Sequence, residues 1–260
     1  MPSPTIAAFI VPHGTERHSA PSGAGPGGAE HFHCAGRRRM INNMSDHFAE
    51  FSMPDTDLTR KAYDLVFSLG PVPLARHSVR TYLFGRAIGE SRGLRPGAGY
   101  DDETLFLASL LHDVGLTERG DGGGRFEVDG ADLAAGFLCQ NGADDERVRV
   151  VWEAIALHTS VGIAHRMRPE IALTHAGTGA DIVALGAGAL PAGLADRAHA
   201  AFPREDAGRR LTEIMLDQIV RNPAKAPIGS FPGELARQHG AGAPVPEWAK
   251  LVAAAWPGVH

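Results

Sequence analysis

The sequence predicts an all-α fold. Apolar residues recur at intervals of three and four through most of the periodic segments, which is the pattern of a helix with one buried face. Few segments alternate apolar and polar residues as half-buried strands do. Capping residues and Gly or Pro stops also bracket the periodic segments. We therefore expect helices that pack around a shared core without a sheet.

Each helix is indicated by its ends as well as by its apolar face. The first begins at Asp57 and is stopped by Gly70-Pro71. The third opens on acidic residues from Asp101, which are favourable at a helix N-terminus. Asn141-Gly142 is a typical C-terminal stop for the fourth. The expected helices cover residues 57–67, 73–91, 101–112, 130–140, 143–158, 169–175, 204–221 and 247–256. The triplet Gly177-Thr178-Gly179 predicts a turn before a later helical segment that contains Asp181.

Composition sets the broad class of protein. The chain has 260 residues, of which 43% are apolar and 21% charged, as in ordinary soluble globular domains. A net charge of -5 argues against nucleic acid as a partner, because nucleic-acid binders carry a basic face. No apolar stretch suits a membrane span. The two cysteines, Cys34 and Cys139, form no disulfide framework and suit a reducing cytoplasm.

The chain divides into two regions by composition. Residues 1–44 are rich in Pro, Gly, Ser, Ala and His, show no periodicity, and include the basic run 37–39. Such a segment cannot bury enough apolar surface to order itself, so we expect disorder or a translated extension before a start at Met40 or Met44. Residues 45–260 are expected to form a single helical domain, with a core at about 60–190 and further helices at 200–260.

An adjacent histidine and aspartate, His112-Asp113, stand at the end of an apolar helical run. A buried carboxylate without a partner is very costly, and a divalent metal can accept both side chains as ligands. His77 and His158 also occupy inward positions of their helices. Side chains that converge in this way from separate helices are how bundles build metal sites. The sequence therefore predicts a metal site at the centre of the helical bundle.

The order of these residues resembles a known family. His77, then His112-Asp113, then Asp181 is similar to the H…HD…D pattern of the HD-domain superfamily of metal-dependent hydrolases, over about residues 60–190. The resemblance implies an HD-domain helical bundle with a central metal site. It also implies that His77, His112, Asp113 and Asp181 are ligands of a divalent cation.

A closer likeness is to the cyanamide hydratase-like branch of this superfamily, in residues 75–82, 109–117, 154–159 and 169–181. That likeness implies a metal-dependent hydro-lyase that adds water to cyanamide to form urea. The HD motif is followed by Gly115-Leu116-Thr117, where many phosphohydrolases carry Gly-Lys. A lysine is useful for binding phosphate, so its replacement makes a phosphoester substrate less favoured.

The implied chemistry needs a nucleophile at neutral pH and a proton for the nitrogen. Bound Zn²⁺ lowers the pKa of its water to about 7, so a metal-bound hydroxide would attack the substrate carbon. Zinc suits the mixed nitrogen and oxygen ligands best, although iron or manganese would also fit. We expect Asp113, His158 and His175 to be the catalytic residues, with one of the histidines supplying the proton. His158 could instead be a core histidine or a ligand of a second metal, and His175 could cap a helix or bond loop backbone.

Other functions remain open at this level. The alternatives are an HD-type phosphohydrolase acting on a nucleotide or phosphomonoester, and a two-metal HD oxygenase with His158 and His175 at a second iron. A regulatory domain without activity is a further alternative, but it would be expected to lose ligands. We expect a small-molecule substrate. The sequence leaves undecided whether the helices after residue 204 form a homo-oligomer.

Overall fold

The computed structural model describes residues 47–241, 244 and 246–256, and it is built from helices joined by short loops. Apart from one isolated β-bridge between Pro96 and Tyr100, these residues contain no β-structure. The prediction of an all-α fold is confirmed. The region expected to be an N-terminal extension lies outside the described residues. The α-helices are α1 (Asp57–Leu69), α2 (Val72–Ser91), α3 (Asp102–Leu111), α4 (Phe126–Gln140), α5 (Asp145–Leu157), α6 (Pro169–Val183), α7 (Leu194–Ala201), α8 (Ala207–Arg221), α9 (Phe231–Gln238) and α10 (Trp248–Ala255).

Three of the predicted helices begin at polar caps that a sequence pattern can reveal. Thr56 caps α1 in a capping box with Thr59. The side chains of Asp101 and Asp144 accept hydrogen bonds from backbone N–H groups in the first turns of α3 and α5. Such caps satisfy N–H groups that have no partner inside the helix. This is why the predicted starts of these helices lie close to the observed ones.

The turn predicted at Gly177-Thr178-Gly179 is wrong, because these residues lie inside α6. A Cβ atom on Gly177 would stand 2.0 Å from the carbonyl oxygen of Thr81 on α2, and one on Gly85 would stand 2.5 Å from the carbonyl oxygen of Leu173. The backbones of α2 and α6 therefore touch where they cross. Glycine serves close helix packing here, whereas the sequence pattern was interpreted as a chain reversal.

Other differences concern segments with weak signals. Helix α4 begins at Phe126, four residues before the predicted start. Its first two residues, Phe126 and Glu127, are buried. The Gly-rich stretch that precedes them made this part of the sequence resemble a loop. The helices α7 and α9, of eight residues each, were not predicted.

Helix α3 lies at the centre of the bundle, since all its residues from Thr104 to Leu111 are buried. Helices α2 and α6 pack closely across it. A smaller cluster forms where Leu211, Met215 and Ile219 of α8 meet Leu74 and Leu116. This cluster supports the segment that follows the His112-Asp113 pair.

A buried lysine ties this same segment to the C-terminal helices. The Nζ atom of Lys225 donates to Asp121 Oδ1 at 2.7 Å, to the carbonyl oxygen of Gly122 at 2.9 Å and to Asp129 Oδ2 at 2.8 Å. The lysine side chain is 3% exposed. Two carboxylates and a carbonyl therefore share one buried ammonium group.

Replacing Lys225 with methionine is expected to lower the free energy of unfolding by about 2 kcal/mol, because the largely buried Asp129 loses its cation and Asp121 keeps only Arg221. Denaturant unfolding followed by circular dichroism measures this change. Lys250→Met is the control, because Lys250 is exposed and, among the described residues, pairs with Glu247 alone, and such a surface pair contributes little. Equal stability of the two variants would contradict the assignment of Lys225 as a clamp.

No helix within the described part of the chain combines the length and the apolar character required to cross a bilayer.

Candidate metal centre

His112 and His158 occupy equivalent positions, as the C-cap residues of α3 and α5. Each imidazole turns back over its own helix, so that His112 Nδ1 lies 2.6 Å from the carbonyl oxygen of Ser109 and His158 Nδ1 lies 2.6 Å from that of Ile155. A carbonyl oxygen can only accept, so both Nδ1 atoms carry the proton. In the neutral form of each ring, Nε2 then has a free lone pair directed into the bundle.

His77 and His175 follow the same rule. His77 Nδ1 lies 2.6 Å from Asp181 Oδ2, and His175 Nδ1 lies 2.7 Å from the carbonyl oxygen of His158. Four imidazoles are therefore held in the tautomer that leaves Nε2 free. This is how proteins prepare histidines as metal ligands, with the second nitrogen fixed by an acceptor.

Three of the free acceptor atoms converge. His77 Nε2 and His112 Nε2 are 3.2 Å apart, and Asp113 Oδ2 lies 3.3 Å from His112 Nε2 and 3.6 Å from His77 Nε2. All three side chains are at most 5% exposed. Asp113 Oδ2 is buried and has no hydrogen-bond donor among the described residues. Acceptors that face one another in a dry interior repel unless a cation lies between them.

The spacing fits one divalent ion. Ligand atoms about 2.1 Å from a tetrahedral ion are separated by about 3.4 Å, and the observed separations of 3.2 to 3.6 Å bracket that value. His77, His112 and Asp113 also form a group of the residue types that hold metal ions. These three residues therefore form the candidate metal centre of the bundle.

The electrostatics of the cluster suit a cation. Burial would raise the pKa of Asp113, but the neighbouring His112 imidazole lowers it well below its ordinary value, so the carboxylate is charged. Burial lowers the pKa of His158 to about 4, and its ring is therefore neutral near pH 7. Burial would lower the pKa of His112, but the charge of Asp113 raises it above its ordinary value. Metal binding at His112 and Asp113 would therefore release a proton, because metals require neutral imidazole and charged carboxylate as ligands.

The other predicted catalytic residues lie at the edge of the centre. His158 Nε2 is 3.8 Å from Asp113 Oδ1, the oxygen that is not part of the converging triad. The His158 ring packs edge-on against His112, with ring centroids 4.9 Å apart. His175 is half-buried and lies in the middle of α6 rather than at a helix end. Its Nδ1 atom is held by the backbone carbonyl oxygen of His158.

Asp181 is buried, but other groups occupy its carboxylate. Arg80 donates from Nε to Asp181 Oδ1 at 2.6 Å and from Nη2 to Asp181 Oδ2 at 2.7 Å, and Oδ2 also receives the His77 Nδ1 proton. The expectation that Asp181 is a fourth ligand stays a prediction. Sequence reasoning missed Arg80 as the partner of Asp181; the available signal was its position three residues after His77 on the same helix.

The fold and the centre together define an all-α domain with a buried site for a divalent metal. Residues 74–200 match the family model of the HD domain. The match includes all the residues of the centre. Proteins of this family are metal-dependent hydrolases, which supports an enzymatic role for this chain. No curated protein gives a significant match to it.

Proposed function

We propose that this protein adds water to a small nitrile-type substrate, converting cyanamide to urea, in a reaction that depends on a divalent metal. The observation that carries this proposal is the buried group of His77, His112 and Asp113, which a small cavity reaches at Asp113. The cavity volume is about 20 Å³, which is room for about one water molecule. A cavity of this size admits the water that is added and favours a substrate as small as cyanamide, which is uncharged.

The walls of the pocket are apolar. Val66, Leu74 and Val114 line it, and the hydroxyl-bearing Ser78 and Thr117 are its neutral polar side chains. Asp113 is its one charged residue. A pocket whose lining includes no lysine or arginine favours a small uncharged molecule over an anion, because its walls supply no positive charge to replace the lost hydration.

The three arginines that could have supported a phosphate substrate are placed elsewhere. Arg76 pairs with Glu205 at 2.5 Å, Arg80 is buried against Asp181, and Arg119 is exposed. None of them lines the pocket. This arrangement argues against the alternative of a phosphohydrolase, since phosphate recognition relies on arginine or lysine.

A bound divalent cation would supply a Lewis acid and a water whose pKa is lowered to about 7. The protein supplies the base. His158 Nε2 keeps its lone pair because Nδ1 is committed to Ile155, so it can accept one proton of the water as the oxygen bonds to the nitrile carbon. The same imidazole then returns that proton to the former nitrile nitrogen, which gives urea after a second proton moves from oxygen to nitrogen. Zinc remains the metal we propose.

Urea formation from cyanamide tests the proposal. Protein loaded with zinc is expected to release urea, a chelator is expected to stop the reaction, and added zinc should restore it. Parallel assays with iron and manganese identify the metal that supports the highest rate. Absence of chelator-sensitive urea formation, with the metal bound, would overturn the proposal; release of phosphate from a nucleotide under the same conditions would establish the phosphohydrolase instead.

A second candidate is a two-metal site of the kind that HD oxygenases use. It is favoured by one observation, that the two oxygens of Asp113 face different histidines: Oδ2 faces His77 and His112, whereas Oδ1 faces His158. A carboxylate in this position can bridge two ions. Elemental analysis separates the candidates, because one zinc per chain supports the hydratase and two irons support the oxygenase.

A further inference from the structure

The His77 imidazole differs from the other three histidines of the site in what holds its Nδ1 atom. His112, His158 and His175 donate to neutral backbone carbonyl oxygens, whereas His77 donates to the carboxylate of Asp181. A charged acceptor forms a stronger hydrogen bond than a neutral one. His77 is thus the most strongly oriented ring of the four.

Arg80 fixes that carboxylate in place. It forms two parallel hydrogen bonds with Asp181, at 2.6 and 2.7 Å, and its Nη1 atom donates to the carbonyl oxygen of Phe202 at 2.8 Å. Arg80 is fully buried and Asp181 is 1% exposed. Such bidentate pairs are rigid as well as strong. His77, Asp181 and Arg80 therefore form a chain that links α2 and α6 to the residue that follows α7.

The geometry of an imidazole ring restricts the role of Asp181. The lone pairs of Nδ1 and Nε2 point to different sides of the ring, so a carboxylate bound at Nδ1 lies away from an ion bound at Nε2. Asp181 is accordingly outside the group of ligand atoms that lie within 4.8 Å of one another. Oδ1 already accepts from Arg80, and Oδ2 accepts from both Arg80 and His77, so either oxygen would have to give up an existing hydrogen bond to reach the same ion.

We infer that Asp181, held by Arg80, is a positioning residue that orients His77 and fixes its tautomer, and that it does not bind the metal ion. A hydrogen-bonded carboxylate also makes the imidazole a better electron donor to the ion. The centre then has three protein ligands, His77, His112 and Asp113, and its remaining positions are open to water and substrate, as in catalytic sites. This inference concerns the metal centre alone and does not depend on the substrate.

A double-mutant cycle on metal affinity tests the inference. Asp181→Asn is expected to weaken zinc binding about 10- to 100-fold, the range for loss of such an outer carboxylate. Combined with His77→Ala, it is expected to cause no further loss, because a residue that acts through His77 has nothing left to act on. A further loss of tenfold or more in the His77→Ala background would show direct binding by Asp181. Asp217→Asn, at an exposed carboxylate on α8, is the matched control and should leave the affinity unchanged.

Nuclear magnetic resonance of the unaltered protein provides a test that needs no variant. The Nδ1 proton of His77 is expected to resonate far downfield, as for a proton shared with a carboxylate, both without metal and with zinc bound. Loss of this signal on zinc binding, with the signals of His112 and His158 retained, would show that Asp181 leaves His77 to bind the ion, and the inference would be wrong.

Discussion

Replacing His112 with alanine is expected to abolish stable metal loading, with zinc affinity falling by more than about a hundredfold, beyond the loss caused by removing an outer-shell partner. His112 Nε2 lies within 3.3 Å of both other acceptors of the triad, so no neighbouring side chain can take its position. Zinc content after dialysis and a competitive chelator titration measure the effect. Urea formation from cyanamide should fall to background together with the metal.

The fold is expected to survive this change. The imidazole bonds only to the carbonyl oxygen of Ser109 and to the site itself, and α3 is held by its apolar side chains. The far-ultraviolet circular dichroism spectrum should therefore remain helical. His239→Ala, at an exposed residue after α9, is the control for histidine loss. Full zinc occupancy in the His112→Ala protein would refute the assigned triad.

Gly177→Ala is expected to produce the largest loss of stability, about 3 to 5 kcal/mol, or to prevent folding. The new methyl group would stand 2.0 Å from the carbonyl oxygen of Thr81 and 2.9 Å from the backbone nitrogen of Gly85. Backbone atoms cannot turn aside as a side chain can, so α2 and α6 would have to separate. Because α2 carries His77 and α6 carries Asp181, any folded fraction should also bind zinc more weakly.

The matched control is another glycine inside a helix. Gly136 of α4 is exposed, and a Cβ atom there meets nothing within 4 Å. Gly136→Ala should be neutral or stabilise by up to about 1 kcal/mol, because alanine is the better helix former. Thermal unfolding of both variants measures the contrast. A Gly177→Ala protein as stable as the Gly136→Ala protein would mean that α2 and α6 are not in backbone contact.

The histidines of the candidate metal centre were largely accessible from sequence. His77 and His112 stand in apolar faces with a helical period, and a histidine directed into a core needs a specific partner. The presence of a third inward histidine, His158, together with Asp113 indicated that this partner is a cation rather than a hydrogen bond. Asp181 was expected among the ligands because of its order along the chain. The order of residues along the chain cannot show which atom of His77 a carboxylate will face. That is decided by the way in which α2 and α6 cross.

Sequence by itself determined that the protein is helical, where most helices begin, and that imidazole and carboxylate groups point into the core. These properties depend on local capping and on a repeat of 3.6 residues, both of which are written in neighbouring residues. Tertiary structure alone decided that Gly177 permits a backbone contact and that Arg80 holds Asp181. It also decided that no lysine or arginine side chain lines the pocket at Asp113. Each of these depends on residues far apart in the chain, such as Arg80 and Asp181 at a separation of 101 positions, whose distance is set by helix packing and not by local pattern.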